Sequence, residues 1–211
     1  MVLDSAKSIG LEITTEAGKT YERLFRARLS EYWAVNRLRD PILTSEFWLN
    51  LTEDWLENVG LARSLAARLN AVADDICFGA KSACFKLFPD VRPCLDALAS
   101  RGIRMAVISN WDNSLHRVLD MFGLQERFDH VFASLEEGVE KPDPELFRIA
   151  LNALGVSPEE VLHVGDNPID DGEGARSAGV RAVIVDRDQP ASLPLRISSL
   201  LQIPEALAWT A

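Results

Sequence analysis

Four short apolar segments in the second half of the chain most constrain its fold. They are RMAVISN (104–110), HVFAS (130–134), EVLHVGD (160–166) and RAVIVDR (181–187). Helical spacing of apolar residues precedes the first segment over Asp90–Ser100 and separates the others over Asn113–Phe122, Pro144–Leu154 and Gly172–Ala178. Apolar strands that alternate with helices are typical of a parallel sheet covered on both faces. The sequence therefore predicts an α/β fold with a Rossmann-like parallel sheet as its core.

The first half of the chain has a different pattern, which changes near Phe88–Pro89. Helices are predicted over Val2–Ile9, from a cap at Thr15 to Trp33, over Ser45–Asn58 and over Leu61–Phe78. We predict a helical cap subdomain at 1–87 and the sheet-containing core at 88–211, where 193–211 forms a short helix and a loose end.

Composition excludes several classes of protein. The net charge of -10 argues against nucleic-acid partners and anionic membrane surfaces, which require basic patches. No segment approaches the roughly 20 apolar residues of a membrane span. Three cysteines fit neither a disulfide framework nor a zinc spacing. We expect a cytoplasmic protein with reduced thiols, no membrane partner and no nucleic-acid partner.

Acidic residues follow the EVLHVGD segment, where parallel strands place their carboxyl ends in a common crevice. Asp166 and Asp171 provide carboxylates suited to Mg²⁺, which prefers oxygen ligands and substrate phosphate. The alternative is that Asp166 and Asp170 only cap the next helix. Spacing alone does not separate these interpretations.

Other polar residues are expected at the same crevice. Ser109 and Asn110 end the first segment before a helix and suit phosphate oxygens, although capping would also explain Ser109. Lys141 suits a phosphate or a carboxylate, although most single lysines are solvated. Trp111 is a candidate substrate contact, and His163 is predicted to be a core histidine with a satisfied nitrogen. Ser134 and Asp186 complete the predicted strand ends.

The order of these motifs resembles the haloacid dehalogenase-like (HAD) hydrolase superfamily. Its second motif is similar to AVISN with Ser109, its third to EKPDPELF with Lys141, and its fourth to HVGDNPIDDGEGARSAG with Asp166 and Asp171. The residues of these motifs are most similar to those of the subgroup around haloacid dehalogenase-like hydrolase domain-containing protein 3. The resemblance covers about Pro89 to Arg187, and the helical first half resembles the inserted cap of the family.

The resemblance implies a Mg²⁺-dependent phosphatase of a small phosphorylated metabolite that works through an aspartyl-phosphate. Ser109 and Asn110 would bind phosphate, and Lys141 would hold phosphate and the attacking aspartate. Asp166 and Asp171 would anchor Mg²⁺, and Asp170, where the family more often has asparagine, would support them. A haloacid dehalogenase would share the fold but use no metal.

The first motif of the family, Asp-x-Asp-x-Thr after an apolar strand, has no good match in this chain. Asp4 is the early candidate, but Val2, Ala6 and Ile9 indicate a helix and Ala6 occupies the acid/base position. The family resemblance places the missing strand between the RMAVISN and EVLHVGD strands, so its absence leaves two unpaired edges. Those strands could pair with each other, or another segment could fill the gap. We expect instead that the polypeptide begins further upstream.

Two classes of function remain open. The first is a HAD-type phosphatase whose cap selects the substrate. The second is a non-catalytic protein that binds Mg²⁺ or a partner. We expect a monomer or a homodimer in either case.

Overall fold

The computed structural model describes residues 2–79, 82, 84–189 and 196–208, without the side chain of Ala208. The chain forms two compact units, residues 1–86 and 87–211. In the described parts of both, no helix is long and apolar enough to cross a bilayer.

The first unit is helical. Its helices are α1 (Val2–Ser8), α2 (Thr15–Ala27), α3 (Leu29–Arg37), α4 (Pro41–Asn58) and α5 (Ala66–Phe78). Trp55 of α4 is fully buried with Leu56 and Leu69, and its indole Nε1 donates to the carbonyl of Ala17 at 2.7 Å. Trp48 stacks on Phe25 at 5.5 Å between centroids. Trp55 thus belongs to the apolar interior of the unit, whereas Trp48 is half-buried.

Two helix starts in this unit correct the sequence predictions. Thr14, rather than Thr15, caps α2, because its side chain accepts a hydrogen bond from the backbone N–H of Ala17 at 3.2 Å. The helix predicted from Ser45 begins at Pro41, where Asp40 accepts from the backbone N–H of Ile42 at 2.8 Å. The single helix predicted up to Trp33 is interrupted at Arg28.

The second unit alternates strands and helices. It contains α6 (Val91–Ala99), β1 (Ala106–Ser109), α7 (Ser114–Met121), β2 (His130–Ala133), α8 (Ser134–Glu137), α9 (Pro144–Leu154), β3 (Leu162–Gly165), α10 (Gly174–Ser177), β4 (Arg181–Val185), β5 (Arg196–Ile197) and α11 (Ile203–Ala208). A wide helical turn at Pro168–Glu173 replaces the first part of the helix predicted over Gly172–Ala178. Of the predicted tail, 193–195 and 209–211 lie outside the described residues.

The strands form two parallel sheets. β1 pairs with β2 in one, and β3, β4 and β5 form the other in that order. Among the described residues, β1 and β3 do not pair with each other and no segment lies between them as a strand, so each keeps an unpaired edge. Both strands are half-buried along their full length. The described strands thus form the predicted parallel α/β arrangement, in two sheets rather than one continuous sheet.

Asp90 connects distant parts of the second unit. Its carboxylate accepts from Nη1 of Arg187 at 2.7 Å and from Nη2 at 3.1 Å, from the hydroxyl of Ser199 at 2.8 Å and from the backbone N–H of Leu200 at 2.9 Å. The Arg187 guanidinium also lies 3.9 Å from the ring centroid of Phe88. These contacts bind the C-terminal segment to the start of α6.

Candidate functional site

Lys141 connects the ends of the two sheets. Its Nζ donates to the backbone carbonyl of Ile108 in β1 at 3.1 Å and to Oδ1 of Asp171 at 2.6 Å. Asp171 lies in the turn after β3, so one ammonium group bridges the carboxyl ends of β1 and β3. The Lys141 side chain is 10% exposed, which excludes the interpretation of this residue as a solvated surface lysine.

Asn110 fixes the backbone of Lys141. Its Nδ2 donates to the Lys141 carbonyl at 2.8 Å, and its Oδ1 accepts from the Lys141 N–H at 2.8 Å. This pairing uses both ends of the amide. In the structure Asn110 therefore positions Lys141, and its predicted role as a direct phosphate ligand remains a prediction.

Asp171 is buried and satisfied on both oxygens. Oδ1 is 2.8 Å from Nε2 of His163 as well as bonded to Lys141, and Oδ2 accepts from the backbone N–H of Asn167 at 2.9 Å. Burial by itself would raise the pKa of Asp171, but hydrogen bonds from His163, Lys141 and Asn167 lower it well below its usual range. Asp171 is therefore an anion whose charge Lys141 balances.

Gly165 makes room for this carboxylate. A Cβ at residue 165 would lie 2.0 Å from Cγ of Asp171, closer than any real contact. Gly165 therefore has a packing reason: the strand ends in glycine because the side chain of Asp171 occupies the space beside it.

Asp166 is exposed and forms no hydrogen bond or ion pair with any described residue. The cap of the following turn is Asn167, whose Oδ1 accepts from the backbone N–H groups of Ile169 at 2.9 Å and Asp170 at 3.1 Å. The alternative interpretation, in which Asp166 and Asp170 cap this helix, is therefore wrong. Asp170 instead accepts from Nδ2 of Asn167 at 2.9 Å, next to Asp166 in sequence.

Ser109 ends β1, half-buried, and its hydroxyl has no hydrogen-bond partner among the described residues. The helix that follows begins at Ser114, whose N–H donates to Asp112 at 2.8 Å. Ser109 therefore does not cap α7. Ser109 and Asp166 are the two predicted site residues whose polar groups have no partner in the described part of the chain.

The remaining strand-end residues have their own partners. Trp111 is 37% exposed and its Nε1 donates to Ser114 at 3.0 Å. Ser134 is fully buried and its hydroxyl accepts from the Trp111 N–H at 3.2 Å. Oδ2 of Asp186 lies 3.5 Å from Nη1 of Arg196 in β5. The structure does not bring Asp186 into the contacts around Lys141.

The described side chains of the site provide few ligands for Mg²⁺. The described residues contain no group of three histidine, cysteine, aspartate or glutamate side chains suited to a metal. Mg²⁺ commonly binds through one or two carboxylates and takes the rest of its ligands from water and substrate phosphate. Asp166 offers one carboxylate that has no partner among the described residues, whereas Asp171 is bonded to Lys141, His163 and Asn167.

Sequence reasoning missed three features of the site. They are the contact of His163 with Asp171, the Ile108 carbonyl as a Lys141 acceptor, and the amide pairing of Asn110. The satisfied nitrogen predicted for His163 is confirmed, and its ring packs edge-on against Phe147 at 5.0 Å. The strand periodicity, which directs His163 and Gly165 to the same face, was the available signal for its contact.

Comparisons with known proteins agree with this architecture. A phosphoserine phosphatase of Thermus thermophilus is 45% identical over 125 residues, which cover 56% of this chain and 50% of that protein. The chain thus matches half the length of that curated relative. Haloacid dehalogenase-like hydrolase domain-containing protein 3 of Bos taurus is 29% identical over 188 residues, or 88% of this chain and 73% of that protein.

The fold is also similar to that of a solved structure. A 2-haloacid dehalogenase of Pseudomonas syringae superposes with a TM-score of 0.70 at 27% identity, covering 100% of this chain and 87% of that one. The parallel strands with polar groups at their carboxyl ends define a Rossmann-like α/β class of protein. The family model for haloacid dehalogenase-like hydrolases matches residues 7–179, and the chain belongs to that family.

Proposed function

We propose that this chain supplies the phosphate- and Mg²⁺-binding part of a phosphatase that acts on a small phosphorylated metabolite in the cytoplasm. The main support is that Lys141 is held between the Ile108 carbonyl and Asp171. This position is the rim of the sheets, where β1 ends at Ser109 and Asp166 follows β3. An ammonium and a hydroxyl suit phosphate oxygens, and the carboxylate of Asp166 suits a cation beside them.

Each residue has a distinct role in the proposal. Ser109 donates to a phosphate oxygen, since its hydroxyl has no partner among the described residues. Lys141 balances negative charge, and Asp166 holds Mg²⁺ with water and phosphate completing its ligands. Asp171 orients Lys141, and its own coordination of the metal remains part of the proposal. When bound, Mg²⁺ supplies neutralisation of the charge on the phosphoryl group.

The attacking carboxylate of the proposed reaction comes from outside this rim. Asp171 is the one carboxylate hydrogen-bonded to Lys141 in the described part of the chain, and its bonds leave it poorly suited to attack phosphorus. Asp4 lies in α1 of the helical unit as an exposed residue of the first turn. We propose that a strand ending in Asp-x-Asp-x-Thr, seated between β1 and β3, provides it.

Binding and turnover test these parts separately. Calorimetry with Mg²⁺ and inorganic phosphate should detect binding to the 211-residue chain, while hydrolysis of an aryl phosphate should require fusion of an apolar strand ending in Asp-x-Asp-x-Thr before Met1. The same fusion with the first aspartate changed to asparagine is the matched control. Hydrolysis by the unextended chain that disappears in Asp4→Asn would contradict the placement of the nucleophile.

The relatives favour phosphate chemistry but include a second candidate. The Thermus thermophilus relative is named a phosphoserine phosphatase, whereas the Pseudomonas syringae structure is titled a 2-haloacid dehalogenase. The exposed Asp166 carboxylate, which has no partner among the described residues, favours a metal-dependent reaction. Halide release from a 2-haloacid by the strand-fused chain, undiminished by a chelator, would favour the dehalogenase instead. Mg²⁺ and phosphate binding without turnover in the fusion would support a non-catalytic protein.

A further inference from the structure

The helical unit holds two cysteines whose sulfur atoms are in contact. Cys77 lies in the last turn of α5 and is buried, and Cys84 lies in the segment that follows and is exposed. Their Sγ atoms are 3.9 Å apart. All three cysteines of the chain are thiols in the structure.

Hydrogen bonds of Ser82 and Cys84 connect both residues to the end of α5. The hydroxyl of Ser82 donates to the Cys77 carbonyl at 2.6 Å and accepts from the N–H of Cys84 at 3.2 Å. The thiol of Cys84 also donates to the Ile76 carbonyl at 3.4 Å. The contact between the two sulfurs is therefore part of a defined local structure.

We propose that Cys77 and Cys84 form a reversible disulfide when the protein meets hydrogen peroxide. A disulfide needs its sulfur atoms about 2 Å apart, so the exposed thiol of Cys84 moves toward Cys77. The bridge would tie the segment at residue 84 to α5 and leave Phe85 and Lys86 before the second unit begins at residue 87. Both cysteines lie in the helical unit, so the bridge would constrain the end of that unit.

The exposed thiol reacts first. The Cys84 thiolate attacks one peroxide oxygen, the O–O bond breaks, and a sulfenic acid and one water form. Cys77 then attacks the Cys84 sulfur, the S–O bond breaks, and a second water leaves as the S–S bond forms. Two thiols lose two hydrogens in total, and one peroxide becomes two waters.

The environment of Cys77 makes it the second of the two thiols to react. Burial raises the pKa of the Cys77 thiol, and the hydrogen bond and charge of Cys84 raise it further. Cys77 therefore keeps its proton while the exposed thiol of Cys84 reacts with peroxide, and it attacks Cys84 only after that sulfur is oxidised.

Tryptic mapping under non-reducing conditions tests the bridge. Cleavage after Arg68, Lys81 and Lys86 places Cys77 in the peptide 69–81 and Cys84 in the peptide 82–86. After peroxide treatment of the full chain, the two peptides should be found linked, with an intact mass about 2 Da lower from the loss of two hydrogens. Dithiothreitol should restore both peptides.

Single variants separate this bridge from general oxidation. Cys84→Ser should abolish the linked pair, and the matched control Cys94→Ser should keep it. In Cys77→Ser, a dimedone probe should label Cys84 as sulfenic acid. The proposal is overturned if peroxide yields only sulfinic or sulfonic acid at Cys84, or links Cys84 to Cys94 or to a second chain.

Discussion

Nζ of Lys141 lies 2.6 Å from Oδ1 of Asp171, and the two side chains are 10% and 4% exposed. The same ammonium reaches the Ile108 carbonyl, so the two unpaired sheets are joined at their carboxyl ends through one buried ion pair. Removing one partner of such a pair leaves an uncompensated buried charge. The free-energy cost of that charge exceeds the stabilisation that the intact pair contributes. Lys141 is therefore important for stability as well as for the proposed chemistry.

Lys141→Met should lower the free energy of unfolding by about 3 kcal/mol, because Asp171 would stay buried without its cation. His163 and Asn167 would retain their hydrogen bonds to Asp171 and limit the loss. Urea denaturation followed by circular dichroism measures the change. The control is Arg148→Ala, which removes an exposed ion pair with Glu145 and should cost less than about 1 kcal/mol. Equal losses in the two variants would contradict the role of the buried pair.

Gly165→Ala should displace Asp171, because the added Cβ would lie 2.0 Å from Cγ of that carboxylate. We expect a loss of about 2 kcal/mol in unfolding free energy, as for overpacked cores, together with weaker phosphate binding. Gly172→Ala is the matched control, since its Cβ would be 3.4 Å or more from its nearest neighbours, which are side-chain atoms. Chemical denaturation and calorimetry check both variants, and a neutral Gly165→Ala would show that Asp171 can move freely.

The fold class was predictable because its signals are local. Each apolar strand is short, and a patterned helix separates it from the next, so β1 to β4 lie within the segments that the sequence indicates. Helix starts were less predictable, since Thr14 and Asp40 act as caps only through hydrogen bonds that composition does not specify.

The site was predictable in its residue types but not in its contacts. Lys141 meets residues about 30 positions away, and no local pattern indicates that Asn110 holds its backbone. The choice between capping and ligand binding also required coordinates: Asn167 caps the turn and leaves Asp166 without a partner in the described chain.

Ser109→Ala and Asp166→Asn should separate binding from stability. Neither side chain has a partner among the described residues, so each variant should change the free energy of unfolding by less than about 0.5 kcal/mol. A hydrogen bond or ligand to a charged group is worth about 1.5–3 kcal/mol, so phosphate or Mg²⁺ affinity should fall about tenfold or more. Calorimetry measures the affinities. Glu173→Gln, which removes a nearby exposed charge, is the control for Asp166→Asn and should bind normally; unchanged affinity in all three variants would contradict the proposed site.

Asp90 should make the second unit sensitive to acid. The hydrogen bond from Arg187 lowers the pKa of Asp90 to about 2. Burial opposes this shift, and hydrogen bonds from the backbone N–H of Leu200 and the hydroxyl of Ser199 lower the pKa further. Because the folded pKa lies below the unfolded value of about 3.9, this stabilisation is complete above pH 4 and is lost as the pH falls toward 2. A shift of this size corresponds to about 2.5 kcal/mol at pH 7.

Asp90→Asn tests this assignment, because the asparagine imitates the protonated carboxyl group. The variant should be less stable than the wild-type chain by about 2.5 kcal/mol at pH 7, and the difference should shrink between pH 4 and pH 2. Urea denaturation at several pH values measures it. Asp96→Asn on the same helix removes an exposed carboxylate 2.7 Å from Arg127 and should have a small effect at every pH. A difference for Asp90→Asn that stays constant down to pH 2 would mean that the carboxylate acts through packing rather than through its charge.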